Sequence, residues 1–267
     1  MATIHFILQG KGGVGKSMIA SLLYQACHRE NKIVIAFDTD PVNRTFARYK
    51  EFDVTEIEIM KGGDIDPRQF DTLFEALVAS PADSQVIVDN GASSFVALGA
   101  YLEQNDVLQA LEEEGHKVFF HTVITGGQAD VDTSTGLSEL AENFASTPIV
   151  VWLNPFFGEI ELSGRKFEEF KVYEQHSDKF HALIRIPDMP KTTFGKDLEE
   201  LFAKKQSFEA GIASSGIAVR RRLKIFWDDM FSEIQRADIF GESVWLKKIV
   251  KASLLKRRNR FCLMVLV

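Results

Sequence analysis

Apolar positions along this chain follow two alternating periods. Short unbroken apolar runs alternate with stretches in which apolar residues recur every three or four positions. Residues 3–9, 32–37 and 85–89 are runs of the first kind, and their Ile, Val and Phe content predicts buried strands. Residues 117–124, 148–153 and 181–186 read the same way, and 54–60 reads as a strand closed by Gly62-Gly63. Between the first two runs, residues 17–30 carry Ile19, Leu22, Leu23 and Ala26 at helical spacing. Asp66-Pro67 combines a capping carboxylate with a first-turn proline and predicts a helix reaching about Ala79. Residues 95–114, 133–144, 167–177, 193–204 and 208–236 complete the helical set. Strands that alternate with helices imply right-handed crossovers, hence an α/β fold with a mostly parallel sheet and helices on both faces. No repeat, linker or low-complexity stretch divides residues 1–236, which read as one domain followed by a tail, 237–267.

Composition narrows the class without changing that picture. The chain of 267 residues is 45% hydrophobic and 26% charged, which excludes a mainly disordered chain, a collagen-like repeat and a disulfide scaffold. Cys27 and Cys262 lie too far apart for a C-x-x-C or zinc pattern and point to a reducing compartment. They also exclude a chain that holds an iron–sulfur cluster on clustered cysteines. The six histidines show no metal-ligand spacing. The first lysine is Lys11, so no basic-then-apolar leader is read, and the expected location is cytoplasmic. Charge is uneven: the tail carries seven Lys/Arg against Asp238 and Glu242, a net of +5, whereas 1–236 carry −12.

The strongest chemical signal is Gly10-Lys11-Gly12-Gly13-Val14-Gly15-Lys16-Ser17, which fits G-x-x-x-x-G-K-[ST] between a strand and a helix. Glycines let successive N–H groups turn toward one point, and the helix that follows, entered through Ser17 and Met18, adds its positive N-terminus. Lys16 reaches the β- and γ-phosphates in such a loop, and the Ser17 hydroxyl ligates Mg²⁺. The alternative, a Gly-rich turn with an exposed lysine, does not explain the flanking elements. ATP and Mg²⁺ are therefore the expected ligands.

Three further features give the loop a family likeness. Lys11 makes it K-G-G-V-G-K-S, which resembles the deviant Walker A motif of the MinD/ParA family of P-loop ATPases. Phe37-Asp38-Thr39-Asp40-Pro41 resembles that family's switch I, and Gln85-Val86-Ile87-Val88-Asp89 resembles its Walker B strand. The resemblance covers roughly residues 1–236. It implies a three-layer fold, a nucleotide-dependent homodimer in which Lys11 reaches the partner's nucleotide, and slow ATP hydrolysis. It makes Lys11, Lys16 and Asp40 the catalytic candidates, with Asp40 orienting water, and Ser17, Asp38 and Asp89 the metal shell. Asn154, at the end of 150–154, resembles the family's adenine-binding Asn, and Pro187-Asp188 its segment flanking the base. Solvated-cation, Asp-rich-turn and strand-end-turn readings stand beside these for Lys11, for Asp38 and Asp40, and for Asn154, Pro187 and Asp188. The family places a proline soon after the Walker B Asp; here Asn90-Gly91 follows, leaving metal binding intact in principle and the hydrolysis rate open.

Phrases such as HFILQGKGGVGKS, VIVDNGASSF and VVWLNPFFGEI further resemble a conjugal transfer protein of mobilisable plasmids. They imply an ATP-binding accessory of DNA transfer, with conjugation or relaxosome proteins as partners. A partitioning or positioning ATPase and a non-hydrolysing nucleotide-gated binding module are the competing readings. Direct DNA binding would use Arg220-Arg221-Arg222 with Lys224, a patch that also reads as an ordinary solvated helix face. In the tail, Val244, Trp245, Leu246, Ile249, Val250, Leu254 and Leu255 lie near one helical face, with most cations off it. Such a segment suits the surface of the inner membrane, docking on the body, partner binding or a basic free end.

Overall fold

The structure is a computed structural model and describes residues 1–162 and 164–241. The amphipathic segment read in the tail lies outside the described residues, as does Cys262.

The chain opens with β1 (Thr3–Ile7), α1 (Lys16–Arg29), β2 (Ile33–Asp38) and β3 (Val54–Glu56). A hairpin of β4 (Met60–Lys61) and β5 (Asp64–Ile65) precedes α2 (Phe70–Val78), β6 (Ser84–Asp89), α3 (Phe95–Gln104) and α4 (Val107–Glu113). Next come β7 (Lys117–Thr125), α5 (Asp130–Asn143), β8 (Ile149–Asn154) and a hairpin of β9 (Glu161–Leu162) with β10 (Arg165–Lys166). The chain continues through α6 (Lys171–His176), β11 (Phe180–Arg185), α7 (Lys196–Ala203), α8 (Phe208–Ser214) and α9 (Ile217–Arg236). Seven strands form one sheet in the order β11-β8-β7-β1-β6-β2-β3, and every pairing in it is parallel. Ser207 caps α8 by accepting from Ala210 N, and Asp66 caps the 3₁₀ turn Pro67–Gln69 by accepting from Arg68 N.

The period-2 alternation of the strands builds two cores. Ile4, Phe6, Val86, Val88, Phe120 and Val151 face one side, where Phe70, Leu73, Leu98, Leu137 and Leu140 of α2, α3 and α5 cover them. Ile7, Ile87, Phe119, Val123 and Trp152 face the other, under α1 and α9 through Leu22, Leu23, Leu223, Phe226 and Met230. This is the three-layer architecture the pattern implies, and central strands buried on both faces explain their near-continuous apolar runs.

Four expected elements are divided. The strand read over 54–60 stops at Glu56, because its partner β2 ends at Asp38; Ile57 N makes a last bond to Asp38 O at 2.9 Å, and Ile57 and Ile59 then bury in the core. Met60 instead opens the hairpin, whose Gly62 and Gly63 both have positive φ. The helix read over 95–114 breaks at Asn105-Asp106, where Asp106 has φ 49°. The helix read over 167–177 becomes the 3₁₀ turn Phe167–Glu169 followed by α6. The long helix read over 208–236 breaks at Ser215-Gly216, both extended, so α8 and α9 pack as a pair.

Candidate nucleotide-binding site

β1 ends just below the loop, and α1 begins at Lys16, so residues 10–15 join a buried strand to a helix N-terminus. Gly13 (φ 76°) and Gly15 (φ 112°) are in the left-handed region, and a Cβ on Gly15 would also press on Asn154 Nδ2 and Met18 Cε at 3.2 Å. α1 has no acidic residue in its first turn and carries His28 and Arg29 in its last. Its positive end therefore stays uncompensated where phosphate is expected. Lys16 is buried, and its Nζ donates to the Lys11 carbonyl at 2.9 Å, closing the loop on its own lysine. Burial pulls the Lys16 pKa down while the Asp89 and Asp40 carboxylates pull it up. Gln9, which sequence reasoning missed, ties the loop to its neighbours: its Nε2 lies 3.1–3.2 Å from Thr122 Oγ1, Val123 O and Thr133 O. A glutamine directly before the glycine-rich loop, after the apolar run Phe6-Ile7-Leu8, was the available signal.

The β2/β6 register places Asp38 beside Asp89, so the two candidate metal carboxylates end neighbouring strands. Both oxygens of Asp89 are buried without a hydrogen-bond partner. Burial, then the Asp38 charge, pushes this carboxyl up to about 8, against the pull of Ser17 and Lys16. A buried carboxylate with free lone pairs close to the Ser17 hydroxyl fits a divalent cation that also leans on phosphate oxygens and water. Asp38 is engaged differently: Oδ1 accepts from Asp40 N at 2.9 Å and Oδ2 from Ala47 N at 3.0 Å, bonds that shape the following loop. Burial raises the Asp38 pKa and these N–H groups oppose the rise. Asp40 sits in that loop, accepting from Val42 N at 2.9 Å and Asn43 N at 3.0 Å through Oδ1.

A mostly apolar cavity of about 260 Å³ opens beside the loop, lined by Gly13, Gly15, Met18, Asn154, Phe156, Phe157, Pro187 and Asp188 among others. All three base-contact candidates are thus brought together with the loop. Asn154 is buried and partly spent: Nδ2 donates to Val14 O at 3.1 Å, and Oδ1 accepts from Phe156 N at 3.2 Å. Lys11 is not a free cation, because its Nζ lies 2.8 Å from Asp132 of α5. Phe156 and Phe157, which line this cavity, are exposed large apolar residues, as are Val42, Val96 and Val131 elsewhere on the surface.

Other candidates do not converge here. Arg222 is paired with Asp197 at 2.5 Å, and Arg220 donates to Ile212 O and Ser215 O, so half of the basic patch is engaged within the body. Among the described residues, no group of three or more His, Cys, Asp or Glu is placed to hold a metal. Among them, too, no helix is long and apolar enough to cross a membrane.

Comparison with known proteins agrees with the loop. A family model for the CobQ/CobB/MinD/ParA nucleotide binding domain matches residues 5–147. Two Escherichia coli proteins named Protein TraL are 44% and 42% identical over 242 residues, covering 90% of this chain and 100% of each relative. The solved MinD cell division protein of Aquifex aeolicus is similar at TM-score 0.49 and 16% identity, over 91% of this chain and 98% of that one. The loop geometry, the domain match and the full-length likeness to TraL agree: the chain belongs to the CobQ/CobB/MinD/ParA nucleotide-binding family.

Proposed function

We propose that this chain is an ATP-binding, slowly ATP-hydrolysing accessory of plasmid conjugal DNA transfer that works as a nucleotide-dependent dimer. The observation that carries the nucleotide reading is the phosphate loop with Asp89 beside it, a buried carboxylate lacking any partner. The transfer reading rests on the full-length likeness to TraL.

ATP would lay its base in the apolar cavity and its phosphates across the N–H groups of residues 12–17. Mg²⁺ would be held by Ser17 and Asp89, supplying charge neutralisation at the β- and γ-phosphates. Lys16 would leave the Lys11 carbonyl for the phosphates, a short move for a flexible stem. Asp40 would accept a hydrogen bond from the attacking water. Phosphoryl transfer without an added arginine is slow, so about one turnover per minute or less is expected. Asp40→Ala should bind nucleotide normally and lose at least tenfold in phosphate release under single-turnover conditions. Normal release from that variant sinks the water-orienting role.

Dimerisation is supported by the exposed apolar Phe156 and Phe157 beside the cavity and by the half-exposed position of Lys11 at the head of the loop. For Lys11 to reach a partner's nucleotide it must give up Asp132. Both side chains of that pair are roughly half exposed, so the contact is weak enough to exchange. Size-exclusion with light scattering should show mass doubling with a non-hydrolysable ATP analogue. Lys11→Ala should remain monomeric, and Asp132→Asn should dimerise at lower protein concentration. A monomer in every nucleotide state overturns the dimer.

A further inference from the structure

The residue that follows Asp89 at the end of β6 is a buried carboxamide. Asn90 is 1% exposed, and its side chain joins the loop after β2 to the turn that leads from β6 into α3. Thr39 Oγ1, from the loop after β2, donates to Asn90 Oδ1 at 3.0 Å, and Ser94 Oγ, at the start of α3, donates to the same oxygen at 2.8 Å. Asn90 Nδ2 donates to Gly91 O at 3.0 Å. Thr39 and Ser94 are themselves fully buried. Thr39 N also donates to Asp89 O at 2.9 Å, so the loop is fastened by backbone and side chain at the same point.

The neighbours of these clamped residues are the site's acids. Thr39 lies between Asp38 and Asp40, and Asn90 lies between Asp89 and Gly91. Gly91 has an ordinary backbone conformation, so its small size serves proximity: a Cβ there would lie 2.8 Å from Asp40 Cγ and 3.1 Å from Asp40 Cα. Asp40 therefore rests directly against the chain that follows the metal carboxylate. We propose that Asn90 is a positioning residue that locks the Asp38–Thr39–Asp40 segment to the Asp89 strand, so that a γ-phosphate felt at one is transmitted to the other. The proposal rests on the nucleotide reading above and adds to it the residue that couples the two loops.

The clamp can be loosened without unfolding the protein. Without the Asn90 carboxamide, Thr39 Oγ1 still has Asp89 O at 3.1 Å and Ser94 Oγ still has Gly91 O at 3.2 Å. No buried hydroxyl is left without an acceptor, which limits the structural cost. Thr39→Val removes the hydroxyl from the other side at nearly constant shape, and Thr39→Ser keeps it.

The test is hydrogen exchange of residues 39–48 with Mg·ADP and with a non-hydrolysable Mg·ATP analogue, alongside ADP affinity for each variant. Wild-type and Thr39→Ser protein should show added protection with the analogue. Asn90→Ala and Thr39→Val should lose most of that difference while binding ADP within about threefold of wild type, under 0.7 kcal/mol by the usual conversion. A purely structural role would instead lower ADP affinity in step. Variants that keep the analogue-specific protection overturn the proposal, as does a wild type that binds both nucleotides with no difference between them. A wild type that binds neither nucleotide overturns the underlying site assignment, a separate result.

Discussion

Replacing Lys16 by alanine is expected to weaken Mg·ADP and Mg·ATP binding by about a hundredfold or more, the loss of one or two charge-assisted hydrogen bonds from a buried ammonium. The size of the effect follows from what surrounds the ammonium. Lys16 is the buried cation of the site, and Asp38, Asp40 and Asp89 lie around the same point. Without it, the polyphosphate loses its strongest partner and also meets a less balanced cluster of carboxylates. Lys11 is placed elsewhere, with its half-exposed amino group 2.8 Å from Asp132. Lys16→Met, which keeps the apolar stem, should lose as much, separating charge from packing. Fluorescent-nucleotide titration decides it, with circular dichroism as the folding control. Undiminished affinity in both variants would remove the phosphate site from the loop.

The parts of this site that could be read in the sequence are those in which chemistry is local. A phosphate loop must keep its glycines, lysine and hydroxyl at fixed spacing between one strand and one helix, so a single stretch of chain carries the whole signal. The sheet was legible for a similar reason, since buried parallel strands need unbroken apolar runs. Breaks inside helices were not legible. The turn at Asp106 depends on a left-handed residue without glycine, and the break before Ile217 leaves the apolar spacing intact on both sides. The Asn90 clamp was also hidden, because Thr39, Asn90 and Ser94 meet only through the parallel register that pairs Asp38 with Asp89. Asn90-Gly91 showed in the sequence as a departure from pattern, and only the fold shows what it holds.

A second large effect is expected from acid, through two histidines that sequence reading set aside for want of metal spacing. Trp152 Nε1 donates to His121 Nδ1 at 3.0 Å, and an indole nitrogen can only donate. The neutral His121 proton is therefore on Nε2, facing His5 Nδ1 at 2.9 Å. His5 then donates from Nε2 to Gln85 Oε1 at 3.0 Å, and Gln85 Nε2 donates to Phe240 O at 3.4 Å. The relay runs one way across β8, β7, β1 and β6 and ends on the chain beyond α9. A second proton on His121 has only the Trp152 N–H to face, and one on His5 Nδ1 meets the His121 N–H. Burial drives the His5 pKa down from 6.5 to about 4 and that of His121 well below its usual value, with Lys117 and His181 adding to the depression. Both rings thus stay neutral in the fold while the unfolded chain takes up protons below about 6.5. Their contribution is complete above that pH and is lost as pH falls toward 4, for His5 alone on the order of 3 kcal/mol. Asp89 acts in the opposite sense over the same range, because its raised pKa favours the fold as pH drops. The histidine part is therefore measured by difference, as urea midpoints at pH 7 and pH 4.5 for wild type and His5→Gln. The variant should be less stable at pH 7 and lose about 2 kcal/mol less on acidification. Equal losses in the two proteins would show that His5 carries none of the acid sensitivity.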